Sequence, residues 1–550
     1  MFNIIKKAGL MDSHLLVQFC HTTSQWQKRI FSLILFSALL AFSASCGQPH
    51  NESSKRIEKD FDQFYTAYNA ENYDEALKYA ELLYEPIIAF AEETESNEEV
   101  AQKLFLVSNA FAQTNDLQKA ITLAGLSLHH VETALGSNHG DVATVLTELA
   151  FLYLLEGNYA EAETFYKRAL HINETVLGLE HPDTAFTNFS LAELYSIQER
   201  FSESEEHYKR ALRIYENVLG SEHSDTAVAL YGLARLYHSI GNYADAKELY
   251  ERSLRIYEKV FGPEHLNTAD HLNSLAVLYR KQGNLISAEA LHKRVLAIRE
   301  KALGVNHPEV ALSLNNLAVL YEELGKYAES ESLYQRALRS REESLGPDHP
   351  ETATSLSNLG SLYSYLGNYS EAEAFLKRAL AIRESALGVD HSSNAAVLNS
   401  LALLYGKIGK YDEAEALLQR ALAIYDNAYG PDHLDTAHFL GNLAELYRIQ
   451  GKYVEAEPLY QHSLHIHETA TAINNLALLY HEHGNYAKAG ALYQRALMIQ
   501  EKVLGRDHPE FALSLENLGM TYTATDRADD ALPLFRQAYQ IQRKLTEQIF

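Results

Sequence analysis

One repeated spacing governs this chain. An apolar–Gly pair ends at Gly136, Gly178, Gly220, Gly262, Gly304, Gly346, Gly388 and Gly430, with the same 42-residue step between each and the next. Three residues beyond each glycine stands a histidine, from His139 to His433. A second series runs Gly157, Gly241, Gly283, Gly325, Gly367, Gly409 and Gly451, with Glu199 in its missing place. Ladders in register mean a repeated supersecondary unit, and such units bury their apolar faces only by stacking.

Residues 308–349 show the logic of one unit. Pro308 suits a first helical position, where a missing N–H costs nothing. Glu309 follows where the helix dipole favours an acid. Leu314, Leu317, Ala318 and Tyr321 recur at helical spacing as one apolar stripe. Gly325-Lys326-Tyr327 is a break and turn. Ala328, Leu333, Ala337 and Leu338 form a second stripe, which Leu345-Gly346 ends, with glycine suited to a left-handed C-terminal cap. Each unit is therefore two antiparallel helices and a loop.

The segments Asn316–Leu338 and Asn475–Leu497 carry the pattern Asn-Leu-Ala-x-Leu-Tyr, a Gly-x-Tyr turn and a closing Arg-Ala-Leu. This pattern resembles the tetratricopeptide repeat. The 42-residue spacing with His-Pro at the loop is similar to the form found in kinesin light chains and many bacterial proteins. The resemblance implies an all-α, right-handed superhelical solenoid. Turn positions at 71, 115, 157, 199, 241, 283, 325, 367, 409, 451, 484 and 526 give twelve antiparallel helix pairs. Degenerate pairs are expected over 56–135, a regular array over 136–470 and C-terminal pairs over 471–550. The step from 451 to 484 is 33, nine residues short, so a tighter junction is expected near His467–Ala472.

The N-terminus reads as a processing signal. Lys28-Arg29 precede a largely apolar run of thirteen residues, Ile30–Phe42, and then Ser43-Ala44-Ser45-Cys46. Thirteen helical residues span about 20 Å, short of a bilayer core of roughly 30 Å. Small residues before Cys46 resemble the lipobox of bacterial lipoproteins, with Ser43 where leucine is usual. The resemblance implies a signal over 1–45, an acylated Cys46, a tether over 46–55, and a lipid-anchored place in a bacterial envelope, on the periplasmic side of the outer membrane. Plain secretion, an uncleaved anchor, or a mis-called start with a cytoplasmic protein are the alternatives, and a start at Met11 would shorten the long leader.

Composition narrows function by exclusion. Lys and Arg number 47 against 73 Asp and Glu, a net charge of −26. Nucleic-acid affinity rests on neutralising phosphates, so no nucleic-acid partner is expected. Only Cys20 and Cys46 are present, which excludes a disulfide scaffold and a cysteine zinc site. The loop histidines recur one repeat apart, about 10 Å at helix-packing distances. Metal bonds are only about 2 Å long, so these histidines read as caps of the following helix, and no metal is expected. Phosphate-loop, dinucleotide and nucleophile-elbow motifs are missing. A non-enzymatic chain without cofactor is the expectation.

In the resembling family the first helix of each pair lines a groove, with side chains five and six residues into the helix facing it. Those slots hold Asn273, Asn315, Asn316, Asn358, Asn399, Asn442, Asn474, Asn475 and Asn517. Asparagine is a poor mid-helix residue, so its recurrence wants a reason. Its amide can hold an extended peptide backbone, or it can serve the repeat itself, and both readings stay open. Arg235, Arg280, Lys281 and Arg448 are the groove cations. Phe151, Leu154, Phe186, Phe189 and Tyr231 suggest an aromatic N-terminal stretch. The implied function is a scaffold or adaptor that takes a peptide or helix of a protein partner. An envelope assembly or secretion factor and a cytosolic light-chain-like adaptor are the rivals. A homodimer through the final helix, ending Gln548-Ile549-Phe550, is a further expectation.

Overall fold

Local signals start and stop the helices where the repeat demands it. The helix Pro308–Glu323 begins at His307, whose Nδ1 accepts the N–H of Glu309 at 3.2 Å. The chain then turns at Gly325, with φ +70°, a conformation that glycine adopts without a Cβ clash. The next helix, Tyr327–Leu345, ends on Gly346, whose N–H donates to the Glu342 carbonyl at 3.2 Å. Between the two helices lie Leu314, Leu317, Ala318, Tyr334 and Ala337, all buried.

The computed structural model describes residues 52–549 apart from 71, 95, 96 and 115. The leader over 1–45, Cys46 and most of the 46–55 tether lie outside the described residues, as does the end of the chain at Phe550. Twenty-four helices and no strand occur among the described residues. In chain order they are α1 (Glu52–Asn69), α2 (Tyr73–Glu93), α3 (Glu98–Thr114), α4 (Leu117–Leu135), α5 (Gly140–Glu156), α6 (Tyr159–Val176), α7 (Pro182–Ile197) and α8 (Phe201–Val218). Then come α9 (Ser224–Ser239), α10 (Tyr243–Phe261), α11 (Leu266–Lys281), α12 (Leu285–Leu303), α13 (Pro308–Glu323), α14 (Tyr327–Leu345), α15 (Pro350–Tyr365) and α16 (Tyr369–Leu387). The last are α17 (Ser393–Lys407), α18 (Tyr411–Tyr429), α19 (Leu434–Ile449), α20 (Tyr453–Ile466), α21 (Ala470–Glu482), α22 (Tyr486–Val503), α23 (Pro509–Thr523) and α24 (Ala528–Ile549). The twelve expected helix pairs are present. The chain divides into two compact units, Met1–Ile240 with Glu248–Val260, and Gly241–Lys247 with Phe261–Phe550.

The loop histidines cap. Each of His139, His181, His223, His265, His307, His349, His391, His433 and His508 accepts, at Nδ1, the N–H two residues on, at 3.1–3.3 Å. That satisfies one of the orphan donors of each helix start.

Side-chain ladders tie repeat to repeat. First-helix tyrosines donate to a glutamate 32 residues earlier, as in Tyr195–Glu163 at 3.1 Å, Tyr405–Glu373 at 2.9 Å and Tyr447–Glu415 at 2.8 Å. Second-helix arginines reach a glutamate 36 residues earlier, as in Arg252–Glu216 at 2.6 Å and Arg420–Glu384 at 2.7 Å. Both ladders survive the short step. Tyr480 reaches Glu457, 23 residues earlier, at 2.6 Å. Arg495 reaches Glu468 at 2.6 Å, also nine residues closer in sequence than the rule. The deletion trims α20 to 14 residues, and α21 starts on Thr469, whose Oγ1 accepts from Ala472 at 3.1 Å where a histidine caps elsewhere. Three residues join α20 to α21, and both ladders are in place across the junction.

In the second unit the loop before α23 lies against turns far earlier in the chain. His508 bonds the Lys281 carbonyl, and its ring sits 3.4 Å from where a Cβ on Gly283 would be. On α24, Leu532, Phe535 and Tyr539 are exposed, while the side chains of Gln548 and Ile549, named in the homodimer expectation, lie outside those described.

Candidate peptide-binding wall

Consecutive first helices stand side by side. In the first unit α7 touches α9, and in the second α11, α13, α15, α17, α19, α21 and α23 each touch the next. One side of every first helix is buried against its own pair. The other belongs to a wall that the odd-numbered helices build together within each unit. The asparagine slots lie on this wall.

The amides divide into two groups. Asn316 donates to Asn273 at 2.9 Å, Asn442 to Asn399 at 2.7 Å, and Asn474 to the Ser514 hydroxyl at 2.7 Å. These bonds join neighbouring first helices, so five of the nine asparagines brace the wall laterally. Neither sequence reading had this bond: the amides hold repeat to repeat, rather than serving one repeat alone. The same rung would link Asn358 to Asn315, and it is not formed. The Asn315 Oδ1 is buried without a partner, as is the Asn474 Oδ1. Asn358, Asn475 and Asn517 are half-buried, and their side chains make no hydrogen bond. Leu403, Leu513 and Met520 are exposed, and Leu513, Asn517 and Met520 fall on one face of α23 by their spacing of four and three.

Three of the four expected cations are occupied within the wall. Arg235 lies 3.4 Å from Glu193 in the first unit. In the second, Arg280 pairs with Glu323, and Arg448 with Glu445 and Glu482. Lys281 has an exposed side chain. Local carboxylates therefore absorb most of the charge that was expected to meet an acidic ligand.

The aromatic stretch of the first unit is core rather than surface. Phe151, Leu154, Phe186, Phe189 and Tyr231 are all buried. Phe189 meets Tyr208 edge-on at 5.6 Å, and Tyr231 meets Tyr250 at 5.4 Å. A Cβ on Gly232 would sit 2.5 Å from the Tyr208 ring, so this wall position is glycine because a ring from the preceding repeat fills it.

Sequence reasoning passed over Glu148. It lies four full periods before Asn316 and so occupies an asparagine slot. It is buried, and burial pushes its carboxyl up to about 7. A carboxylate in a slot that elsewhere holds asparagine, serine or glycine was a legible signal. The buried arginines Arg299 and Arg341 and the half-buried Arg383, one period apart on second helices, were equally legible.

His292 interrupts a run of buried tyrosines at Tyr166, Tyr208, Tyr250 and Tyr334. Burial, and then Arg280 and Arg299, hold it down at about 4, and neither ring nitrogen has a partner. An unfolded histidine takes its proton near pH 6.5. Acidification from 6.5 towards 4 therefore protonates the unfolded chain first, and the second unit loses stability over that window. The expected loss at pH 5 is about 2 kcal/mol. His292→Leu, which follows Leu376 and Leu418 in the same slot, should remove this component. Hydrogen exchange of α11–α14 at pH 7 and pH 5 checks it, after correction for intrinsic exchange rates. An equal acid response in the variant would assign the effect elsewhere.

Among the described residues no three His, Cys, Asp or Glu side chains come together as a metal site, and no helix is long and apolar enough to cross a membrane.

The tetratricopeptide repeat family matches residues 141–217, 183–259, 225–301, 267–343, 309–385, 393–469 and 468–544. Among solved structures, BtubC (BKLC) from P. vanneervenii is 26% identical, with 42% of this chain and 93% of that chain covered and a TM-score of 0.39. The nearly identical TPR-like repeats of a Podosopora anserina protein assigned as a kinesin light chain are 28% identical, covering 38% and 98%, at a TM-score of 0.34. No curated protein matches the chain.

Proposed function

Because this chain belongs to the tetratricopeptide repeat family, we propose that it is a non-enzymatic scaffold whose first-helix wall takes an extended or helical segment of a partner protein. The observation that carries this reading is the set of unspent amides on the second unit's wall. Two rungs of the amide ladder close, while Asn315 and Asn474 keep buried acceptors without donors. A buried unpaired carbonyl costs roughly 1–3 kcal/mol. The amides of Asn358, Asn475 and Asn517 are half-buried and make no hydrogen bond, so they are the ones a bound segment's backbone would pair with. Exposed Leu513 and Met520, on one face of α23 with the half-buried Asn517, supply apolar contact.

A displayed library of random dodecapeptides selected on the full chain tests the proposal. Recovered peptides should bind the triple variant Asn358→Ala, Asn475→Ala and Asn517→Ala about tenfold or more weakly, the equivalent of one or two lost hydrogen bonds. These side chains brace nothing, so the variant should fold normally. Unchanged affinity would remove the amides from the binding surface.

A lipid anchor is part of the proposal. Acylation of Cys46 would place the scaffold, and with it the partner, at a bacterial membrane and raise their local concentration. Mass spectrometry should find a mature chain beginning at an acylated Cys46, and Cys46→Ser should leave the membrane fraction. A mature chain retaining residues 1–45 would favour the cytosolic adaptor.

A further inference from the structure

The first unit carries a carboxylate that its own fold leaves unanswered. Glu148, on α5, is 8% exposed. It makes no hydrogen bond or ion pair, and neither of its carboxylate oxygens is fully enclosed. The head of the side chain therefore reaches the wall surface from a buried stem, in the register that Asn316, Asn358 and Asn442 occupy in the second unit.

Its surroundings are polar and unfinished. The Tyr166 hydroxyl is buried beside Glu148 and Ser190, with no hydrogen bond of normal geometry. The Ser190 hydroxyl donates to the Phe186 carbonyl at 3.0 Å and is wholly enclosed, as is the Tyr166 hydroxyl, and neither bonds Glu148. The contrast with the neighbouring carboxylate is direct. Glu193, on α7, receives the Tyr208 hydroxyl and has Arg235 at 3.4 Å. Two buried carboxylates on adjacent wall helices share one internal cation, and it stands with Glu193.

We propose that Glu148 receives a basic side chain, lysine or arginine, of the segment bound on this wall. The inference rests on the reading of the wall as a segment-binding surface. A basic head brings donors, a positive charge and no acceptor, and Glu148 brings an acceptor-only carboxylate that no donor of the fold meets. A calcium ion takes six to eight oxygens and magnesium near-octahedral coordination, more than is present.

The peptide selection on the full chain, run in parallel on Glu148→Gln, tests this. Peptides taken by the native chain at pH 8 should show a lysine or arginine at one fixed position, and those taken by Glu148→Gln should not. Replacing that residue with glutamine in a synthetic peptide should weaken binding to the native chain about tenfold, the loss of one charge-assisted hydrogen bond. The same replacement should leave binding to Glu148→Gln unchanged. The peptide replacement measured on the native chain gives an independent reading should the glutamine variant fold poorly. Peptides that bind both proteins alike, with no basic position, would overturn the Glu148 site and leave the wall intact. Recovery of no peptide by any of the proteins would overturn the wall reading and this inference with it.

Discussion

Arg299→Met is expected to destabilise the second unit by about 3–5 kcal/mol, the cost of removing one partner from a buried ion pair. Arg299 is 1% exposed, among the largest side chains wholly enclosed by the fold. Its guanidinium lies 2.7 Å from Asp270 and 3.3 Å from Glu309, and donates to the Ser313 hydroxyl at 2.9 Å. It thus joins α11, α12 and α13. Methionine fills much of the volume but leaves two carboxylates facing each other in a dry layer. The next arginines along the stack have progressively less carboxylate. Arg341 has Glu351 at 3.2 Å. Arg383 donates to the Thr354 hydroxyl at 3.0 Å and to the Ser393 carbonyl. Arg383→Met should therefore cost much less than Arg299→Met. Adding Asp270→Leu and Glu309→Gln to Arg299→Met should restore most of the loss, since Leu312 already stands one repeat on from Asp270. Denaturant midpoints, with hydrogen exchange to localise the effect, decide it. Equal costs at Arg299 and Arg383 would mean that the carboxylates are not what makes Arg299 necessary.

The second large effect has the opposite sign. Glu148→Gln should stabilise the first unit at pH 8 by about 3 kcal/mol. Burial raises the Glu148 carboxyl to about 7 from an ordinary 4.5. Between those values the folded chain holds a proton that the unfolded chain has released, so stability falls as pH rises from 4.5 to 7 and stays reduced above it. The glutamine variant lacks this dependence, and its advantage should disappear below pH 4.5. Hydrogen exchange of α5–α7 in the two proteins at pH 8 and pH 4, each corrected for intrinsic rates, measures the difference. A variant no more stable than the native chain at pH 8 would show that the carboxylate is already compensated. A gain in stability together with loss of the basic-residue preference is the signature of a side chain kept for binding at the expense of the fold.

The structure and the period agree most closely where an interaction is local in sequence. His307, Pro308 and Gly325 act within a few residues of themselves, so their roles as cap, first helical residue and turn were readable before any contact was known. Glu199 was readable as an exception, and it holds φ +59° where other repeats have glycine. The nine-residue deletion was equally visible. That it leaves both ladders in place was not, because Tyr480–Glu457 and Arg495–Glu468 are bonds between repeats.

The wall marks the boundary of what a sequence can say. Periodicity put nine asparagines and four cations on one side of the first helices. It did not distinguish Asn316, bonded to the repeat before it, from Asn358, which is not. Phe189 and Tyr231 were assigned to a groove because their slots face one elsewhere, yet Tyr208 and Tyr250, on the second helices of their own pairs, pack against them. Arg448 looked like a ligand's counter-charge and turned out to be shared between Glu445 and Glu482.

From the sequence alone came the repeat, the helix pairs, their caps and the face each helix turns inward, since these follow from spacing along one chain. Which wall groups remain unpaired was decided by the tertiary structure. Hydrogen bonds and desolvation depend on distances between residues some 40 positions apart, and a shift of an ångström there separates a closed rung from an open one.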